Sequence, residues 1–320
     1  MSTAIWAGFI FLIIGFLALD LGVLNRKNHV IGFKESLKWT SIWVCVSLLF
    51  SGVIWYLYEF KIAGFGTDPA HETTGLDALL SYISGYVVEY SLSIDNIFVI
   101  ALIITAFKVP GEYQHRVLFW GILGALVLRG IMIGAGAVLL HKFSWMMYVF
   151  GAILLLTAAK MALQKEESID LEHNRTLKLA RRLYPVSHEF DGAKFFTHLP
   201  DGRKAMTPLM LVLLLVETTD VLFAVDSIPA VFAITRDPFL VFTSNVFAIL
   251  GLRSLYFALA GMMNKFHHLK NALVVLMAFI GLKMLAHDYY KISPGLSLGI
   301  IGLILGAGVV ASLRHSKDPV

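Results

Sequence analysis

Nine long apolar stretches constrain the fold of this chain more than any other sequence feature. They lie near residues 5–24, 39–58, 79–106, 115–139, 143–164, 207–234, 239–262, 270–287 and 294–313. Each is long enough to cross a bilayer as a helix, and none shows the two-residue alternation of a barrel strand. Only 15% of the residues are charged, against roughly 25% in soluble domains. The sequence therefore predicts an all-α polytopic membrane protein with about nine transmembrane helices.

The basic residues between these stretches predict the orientation in the membrane. Segment 25–38 carries four Lys or Arg and one acid, whereas segment 59–78 carries one Lys and four acids. Because basic loops stay in the cytoplasm, we expect the N-terminus outside and the C-terminus inside. The first stretch is expected to be a retained span that Asp20 closes. Since the positive net charge belongs to these loops, no nucleic-acid partner is predicted.

The polar segment 165–206 divides the chain into two similar halves. Residues 91–97 match 222–228 in pattern, and each copy has an acid six residues before its central aspartate. Leu-Arg and Lys-Met pairs recur in the two following spans of each half. The predicted organisation is two leading helices and an outer loop (1–78), a three-helix repeat (79–164), a cytoplasmic linker (165–206), an inverted three-helix repeat (207–290), and a final helix with tail (291–320). Inverted repeats around a polar site are typical of transporters.

Ionisable residues inside the predicted spans mark a candidate site. A charged side chain at the bilayer centre costs roughly 2.5–3.5 kcal/mol on insertion scales. A chain with this many charged side chains in its spans therefore needs partners for them. The acids are Asp20, Glu89, Asp95, Glu217, Asp220 and Asp226, and the bases are Arg129, Lys160, Arg253 and Lys283. Four ion pairs would leave two carboxylates for a divalent cation to neutralise. A purely structural salt-bridge network is the alternative.

The ligand types favour a hard cation. The candidate metal ligands are Glu89, Asp95, Asn96, Glu217, Asp220 and Asp226, and the supporting polar groups and counter-ions are Ser91, Ser93, Ser227, Asn245, Arg129 and Arg253. A set that contains only oxygen ligands suits Mg²⁺, Ca²⁺ or Mn²⁺ better than Cu⁺ or Zn²⁺. Protons are a further possible ligand of desolvated carboxylates.

Helical geometry limits which acids share one ion. At 100° per residue, Asp226 stands about 120° from Asp220 on a straight helix. One ion could reach both only if the helix were distorted. Pro229 predicts such a distortion, because it removes the hydrogen bond to the Val225 carbonyl.

The two acidic segments, Glu89–Val99 and Glu217–Ala230, together with Thr243–Arg253, resemble the signature stretches of the TerC family of integral membrane proteins. The resemblance covers nearly the whole chain and is greatest to the Alx branch. It implies a multi-pass protein of the bacterial inner (plasma) membrane, linked to tellurium resistance, to a proposed redox modulator and to manganese(II) export. The family's functional residues would be the acids of the two motifs.

The leading functional hypothesis is a secondary transporter that exports a divalent cation, with Mn(II) the first candidate, through a midplane carboxylate site and with proton coupling. No enzymatic activity and no tightly bound cofactor are expected. The expected partners are a divalent metal ion, protons and the lipid bilayer, and a homo-oligomer is compatible with the sequence. A membrane redox component is one alternative, although the chain has a single cysteine, Cys45, and no pair of intramembrane histidines facing each other. A membrane scaffold that recruits partners through its linker is another.

Overall fold

A computed structural model describes residues 3–19, 32–67, 73–163, 174–200, 202–259, 269–290 and 292–315. Asp20 lies outside the described residues, and so does the side chain of Arg253. The helices are α1 Thr3–Leu19, α2 Phe33–Glu59, α3 Gly75–Ala106, α4 Gly111–Lys142, α5 Met146–Leu163, α6 Arg175–Leu183, α7 Pro208–Phe232, α8 Pro238–Leu259, α9 Leu269–Leu285 and α10 Pro294–His315. A 3₁₀ turn covers Ile62–Gly64, and two short strands are β1 Phe196–His198 and β2 Lys204–Met206.

Each predicted apolar stretch overlaps one of these helices. Within the described residues, six helices are long and apolar enough to cross a membrane, namely α2, α3, α4, α5, α7 and α10. The chain is therefore a mostly helical protein with several candidate membrane spans. The full number of nine spans, the inverted repeat and the orientation stay predictions.

The linker adds a short β-hairpin to the mostly helical chain. Strands β1 and β2 form an antiparallel hairpin in which Phe196 pairs with Met206 and His198 with Lys204. Gly202 adopts φ +81° in the turn, a conformation that glycine reaches at little steric cost. Strands of three residues are too short to show a readable two-residue period, which explains why the sequence pattern did not reveal them. Helix α6 precedes the hairpin and packs against α7 through Leu177 and Ala180.

The helices of the two predicted repeats pack against each other in a matched way. Helix α3 packs along α8, α4 packs along α7, and α5 packs along α9, while α3 and α7 also touch. Helices α2 and α10 each pack against α3 on the outside of this group. The candidate site thus lies among helices that both halves of the chain contribute.

Helices α5 and α9 approach each other closely at two glycines. A Cβ on Gly151 would lie 3.0 Å from the carbonyl oxygen of Gly281. A Cβ on Gly281 would likewise lie 3.0 Å from the carbonyl oxygen of Gly151. Small residues at a helix crossing allow backbones to pack closely in a membrane. The α5–α9 pair is therefore one tightly packed unit beside α3 and α7.

Candidate ion site

A buried ionic network lies at the centre of the helix bundle. Arg129 of α4 is only 1% exposed and forms an ion pair with Glu89 of α3, which is fully buried. It also makes a two-point contact with Asp220 of α7, with Nη2 2.8 Å from Oδ1 and Nε 3.1 Å from Oδ2. Its Nη1 donates to Asn245 Oδ1 at 3.2 Å, and Asn245 Nδ2 donates to Glu89 Oε2 at 3.0 Å. Both carboxylates are thus occupied by donors of the protein.

Three predicted serines divide between this network and the helix backbone. Ser93 donates to Glu89 Oε1 at 3.4 Å, and Ser227 accepts from Arg129 Nη1 at 3.4 Å. Ser91 instead donates to the Val87 carbonyl at 2.6 Å within α3. Ser93 and Ser227 therefore belong to the network, whereas the hydroxyl of Ser91 is hydrogen-bonded to the backbone of its own helix.

A separate cavity of about 400 Å³ lies between α3, α5, α7 and α9. Its lining includes Asp95 and Asn96 of α3, Thr157 of α5, and Asp226 and Ser227 of α7. Asp226 Oδ1 accepts a hydrogen bond from the Thr157 hydroxyl at 2.7 Å. The two aspartates that occupy matching positions in the repeat thus line one cavity.

The two aspartates lie away from the linker-side ends of their helices. At about 1.5 Å per residue, Asp95 is about 16 Å along α3 from Ala106, and Asp226 is about 27 Å along α7 from Pro208. Both of these helix ends lie on the side of the linker, because Ala106, Pro208 and the linker residue Ser187 line one other cavity. Asp95 is therefore about three turns, and Asp226 about five turns, from the linker-side end of its helix.

Glu217 occupies a third position, against α4. A Cβ added to Gly124 would collide with its carboxylate, so the glycine makes room for this side chain. Glu217 Oε2 has no hydrogen-bond partner among the described residues. Glu217 precedes Asp220 by three residues and therefore lies on the same side of α7 as the central network.

The structure therefore does not bring all six predicted ligands together. Glu89 and Asp220 contact Arg129, Glu217 faces α4, and Asp95, Asn96 and Asp226 line the cavity. Among the described residues, no group of three or more His, Cys, Asp or Glu side chains could hold a metal ion. An ion in the cavity would have two carboxylates, with neutral oxygens and water completing its coordination. Helix α7 continues through Pro229, and Asp220 and Asp226 face different sites.

Sequence reasoning missed Thr157, which orients Asp226. The available signal was that Thr157 is the one serine or threonine in helix α5. It also missed Lys270, which lines the cavity from the first turn of α9. Met161 and Met277 line the cavity as well.

Comparison with known proteins identifies the family of this chain. Residues 74–319 match the model of the integral membrane protein TerC family. The chain belongs to the TerC family. The matched region includes the central network, the cavity and the linker between the two halves of the chain.

Several full-length relatives support this assignment. An uncharacterised membrane protein of Myxococcus xanthus is 50% identical over 316 residues, which cover 99% of this chain and 94% of that protein. Alx of Escherichia coli K12, whose name proposes a membrane-bound redox modulator, is 41% identical over 319 residues, which cover 98% and 97% of the two chains. An uncharacterised membrane protein of Rickettsia bellii is 38% identical over 308 residues, 96% of each chain. No solved structure matches this chain.

Proposed function

We propose that this TerC-family protein is a secondary transporter of the bacterial inner membrane that exports a divalent cation, with Mn²⁺ as the ion. The observation that carries the proposal is the position of Asp95 and Asp226. They come from the two predicted repeats and line one cavity between the helices of both halves. Two carboxylates in a membrane are costly unless they have a cationic partner. A divalent ion can supply that charge, in place of the two lysines that line the same cavity, Lys160 and Lys270.

The other cavity groups suit a hydrated divalent ion. Thr157, Asn96 and Ser227 offer neutral oxygens beside the carboxylates. A volume of about 400 Å³ has room for the ion and on the order of ten waters, at about 30 Å³ each. Hard ions of this type often keep several waters while they bind one or two carboxylates.

Two thioethers in the cavity support Mn²⁺ over Mg²⁺ and Ca²⁺. Met161 of α5 and Met277 of α9 line the same space as the aspartates. A thioether is a soft ligand, which interacts better with a transition metal than with an alkaline earth ion. Replacing both methionines with leucine should therefore reduce discrimination between Mn²⁺ and Mg²⁺, while Asp95 and Asp226 still bind either ion.

Transport requires the carboxylates to face each side of the membrane in turn. The cavity lies between the α3–α7 pair and the tightly packed α5–α9 pair, so movement of one pair against the other would open it to either side. Protons that compete for the same carboxylates would couple export to the proton gradient. The Arg129 network would hold α3, α4, α7 and α8 together during this movement.

A redox role is the second candidate, because the name of the Alx relatives proposes one. The chain has one cysteine, so a single copy cannot form an internal disulfide. A redox role would need a bound chromophore or a cysteine of another chain. An absorbance spectrum of the purified protein with a chromophore band would favour this candidate over transport.

The first test is manganese tolerance of cells that carry Asp226→Asn. We expect this variant to insert normally but to leave cells as sensitive to Mn²⁺ as cells without the protein. Glu112→Gln, at an exposed acid in the first turn of α4, is the matched control and should retain tolerance. Full tolerance with Asp226→Asn would contradict the proposal.

A further inference from the structure

The cavity holds as many positive as negative side chains. Among the described residues, its charged lining consists of Asp95, Asp226, Lys160 of α5 and Lys270 of α9. Two carboxylates and two ammonium groups cancel, so the cavity is neutral without an ion. A divalent cation would add two positive charges to a space within the bundle, where like charges repel more strongly than in water.

The lysines and aspartates are matched across the two halves of the chain. Asp226 lies within range of the charge of Lys160, and Asp95 lies within range of the charge of Lys270. In each case the lysine belongs to the α5–α9 pair and the aspartate to the α3–α7 pair. Each matched couple also joins one predicted repeat to the other.

We propose that Lys160 and Lys270 are displaceable counter-ions of the transport site, an inference that rests on the proposed function. In the empty carrier, the two ammonium groups neutralise Asp95 and Asp226. When the divalent cation enters, the ammonium groups move away and the ion takes their place at the carboxylates. When the ion leaves, the ammonium groups return.

The positions of the lysines allow this exchange. Lys160 is three residues before the end of α5, and Lys270 is the second residue of α9. Each side chain is a four-carbon stem with a mobile ammonium group, and such a stem can turn its charged head towards headgroups or water. Lys160 is already exposed at its surface. Neither lysine would have to cross the bundle to leave the carboxylates.

The exchange has a consequence for the empty carrier. A neutral site can reorient between the two sides without moving an unpaired charge through the membrane, which is costly. The returning ammonium groups also compete with the ion and help to release it. Lys160 and Lys270 should therefore weaken ion binding at equilibrium, although both are part of the site.

Another lysine of the two predicted repeats, Lys283, provides a control. Lys283 is the sequence counterpart of Lys160, but its Nζ donates to Ser297 Oγ of α10 at 2.8 Å. The described lining of the cavity includes Lys270 and not Lys283. Lys283→Gln removes a lysine from a span without changing the cavity, and glutamine can still donate to Ser297.

The test is the Kd for Mn²⁺ of the purified full-length protein, measured by equilibrium dialysis. The set is wild type, Lys160→Gln with Lys270→Gln, Lys283→Gln, and Asp95→Asn with Asp226→Asn. We expect the double lysine variant to bind Mn²⁺ at least about tenfold more tightly, a change that corresponds to about 1.4 kcal/mol. Lys283→Gln should bind like wild type. Lys160→Arg with Lys270→Arg keeps both charges and should not bind Mn²⁺ more tightly than wild type.

The outcomes separate this inference from the proposed function. If the double aspartate variant binds Mn²⁺ as well as wild type, the carboxylates are not the site, and both proposals are wrong. If it loses binding while the double lysine variant binds no more tightly than wild type, the proposed function stands and the counter-ion role is wrong. Lys160→Gln and Lys270→Gln are also measured as single variants. If the double variant does not fold, a single variant that folds is compared with wild type instead.

Discussion

Arg129 of α4 and Asp220 of α7 form a two-point ion pair in the interior of the helix bundle, with contacts of 2.8 and 3.1 Å. The same guanidinium also pairs with Glu89. Only the planar fork of arginine can make both contacts to one carboxylate at once. The pair therefore ties the first half of the chain to the second, beside the cavity that contains Asp95 and Asp226.

Replacing Arg129 with methionine should strongly destabilise the protein. Glu89 and Asp220 would keep their charges in the interior without a partner, a loss of about 3–5 kcal/mol. Thermal stability in detergent, followed by size-exclusion chromatography of heated samples, measures the effect. Arg116→Gln is the control on the same helix, because Arg116 is exposed and lies over the ring of Phe195. Equal stability of the two variants would contradict the structural role of Arg129.

Gly124→Ala should reduce export with little loss of stability. The new methyl group would displace the carboxylate of Glu217, which is the movable end of a flexible side chain, while alanine favours the helix by up to about 1 kcal/mol. Gly134→Ala is the matched control on α4, because its Cβ would meet nothing within 4 Å. Mn²⁺ flux and thermal stability of the two variants are compared. Wild-type flux with Gly124→Ala would remove Glu217 from the functional residues.

Thr157→Val should weaken ion binding, whereas Thr157→Ser should preserve it. Valine keeps the shape of threonine but loses the hydroxyl that donates to Asp226 at 2.7 Å, so the carboxylate loses its fixed orientation and the site loses an oxygen. A hydrogen bond to a charged group is worth about 1.5–3 kcal/mol, which predicts roughly a tenfold or larger increase in the Kd for Mn²⁺. The same affinity for both variants would show that the hydroxyl has no role in the site.

Asp191 should stabilise the folded linker in a pH-dependent way. The Thr197 hydroxyl, and then Lys194, hold the pKa of the Asp191 carboxyl below its usual range. Because the folded-state pKa is lowered, this contribution is complete above the unfolded pKa of about 3.9 and is lost as the pH falls through the folded value.

Hydrogen exchange of the β1–β2 amides in the full-length protein measures this effect. Thr197→Val removes the hydroxyl, which lies 2.9 Å from Asp191 Oδ2, and should speed exchange at pH 7. The difference from wild type should begin to shrink below about pH 4 and should vanish below the folded-state pKa, where the folded carboxyl is protonated. A difference that stays constant over this range would exclude a role for the ionised carboxylate.

The sequence predicted the helices well because each apolar stretch has to satisfy its backbone hydrogen bonds within the membrane. Helical geometry also placed Asp220 and Asp226 about 120° apart, and these residues do face different sites. The division of the acids between Arg129 and the cavity could not be predicted, because it depends on how α3, α4 and α7 pack. A count of charges does not show which carboxylate each base will reach.

Other features left too weak a signal in the sequence. Thr157 is the one serine or threonine of α5. Its hydrogen bond to Asp226 forms only when α5 packs beside α7. Lys270 lies at the edge of a predicted span, where a lysine normally serves as an interfacial anchor. The hairpin around Gly202 consists of strands too short for a periodic pattern. Tertiary packing determined all three.

Mn²⁺ flux into proteoliposomes measures directly whether transport depends on Asp95 and Asp226. Purified wild type, Asp95→Asn, Asp226→Asn and the control Glu112→Gln are reconstituted at equal density, and a fluorescent indicator inside the vesicles reports Mn²⁺ entry. We expect wild type and Glu112→Gln to transport Mn²⁺ and each aspartate variant to lose nearly all flux. Flux through Asp95→Asn and Asp226→Asn at the wild-type rate would contradict this expectation.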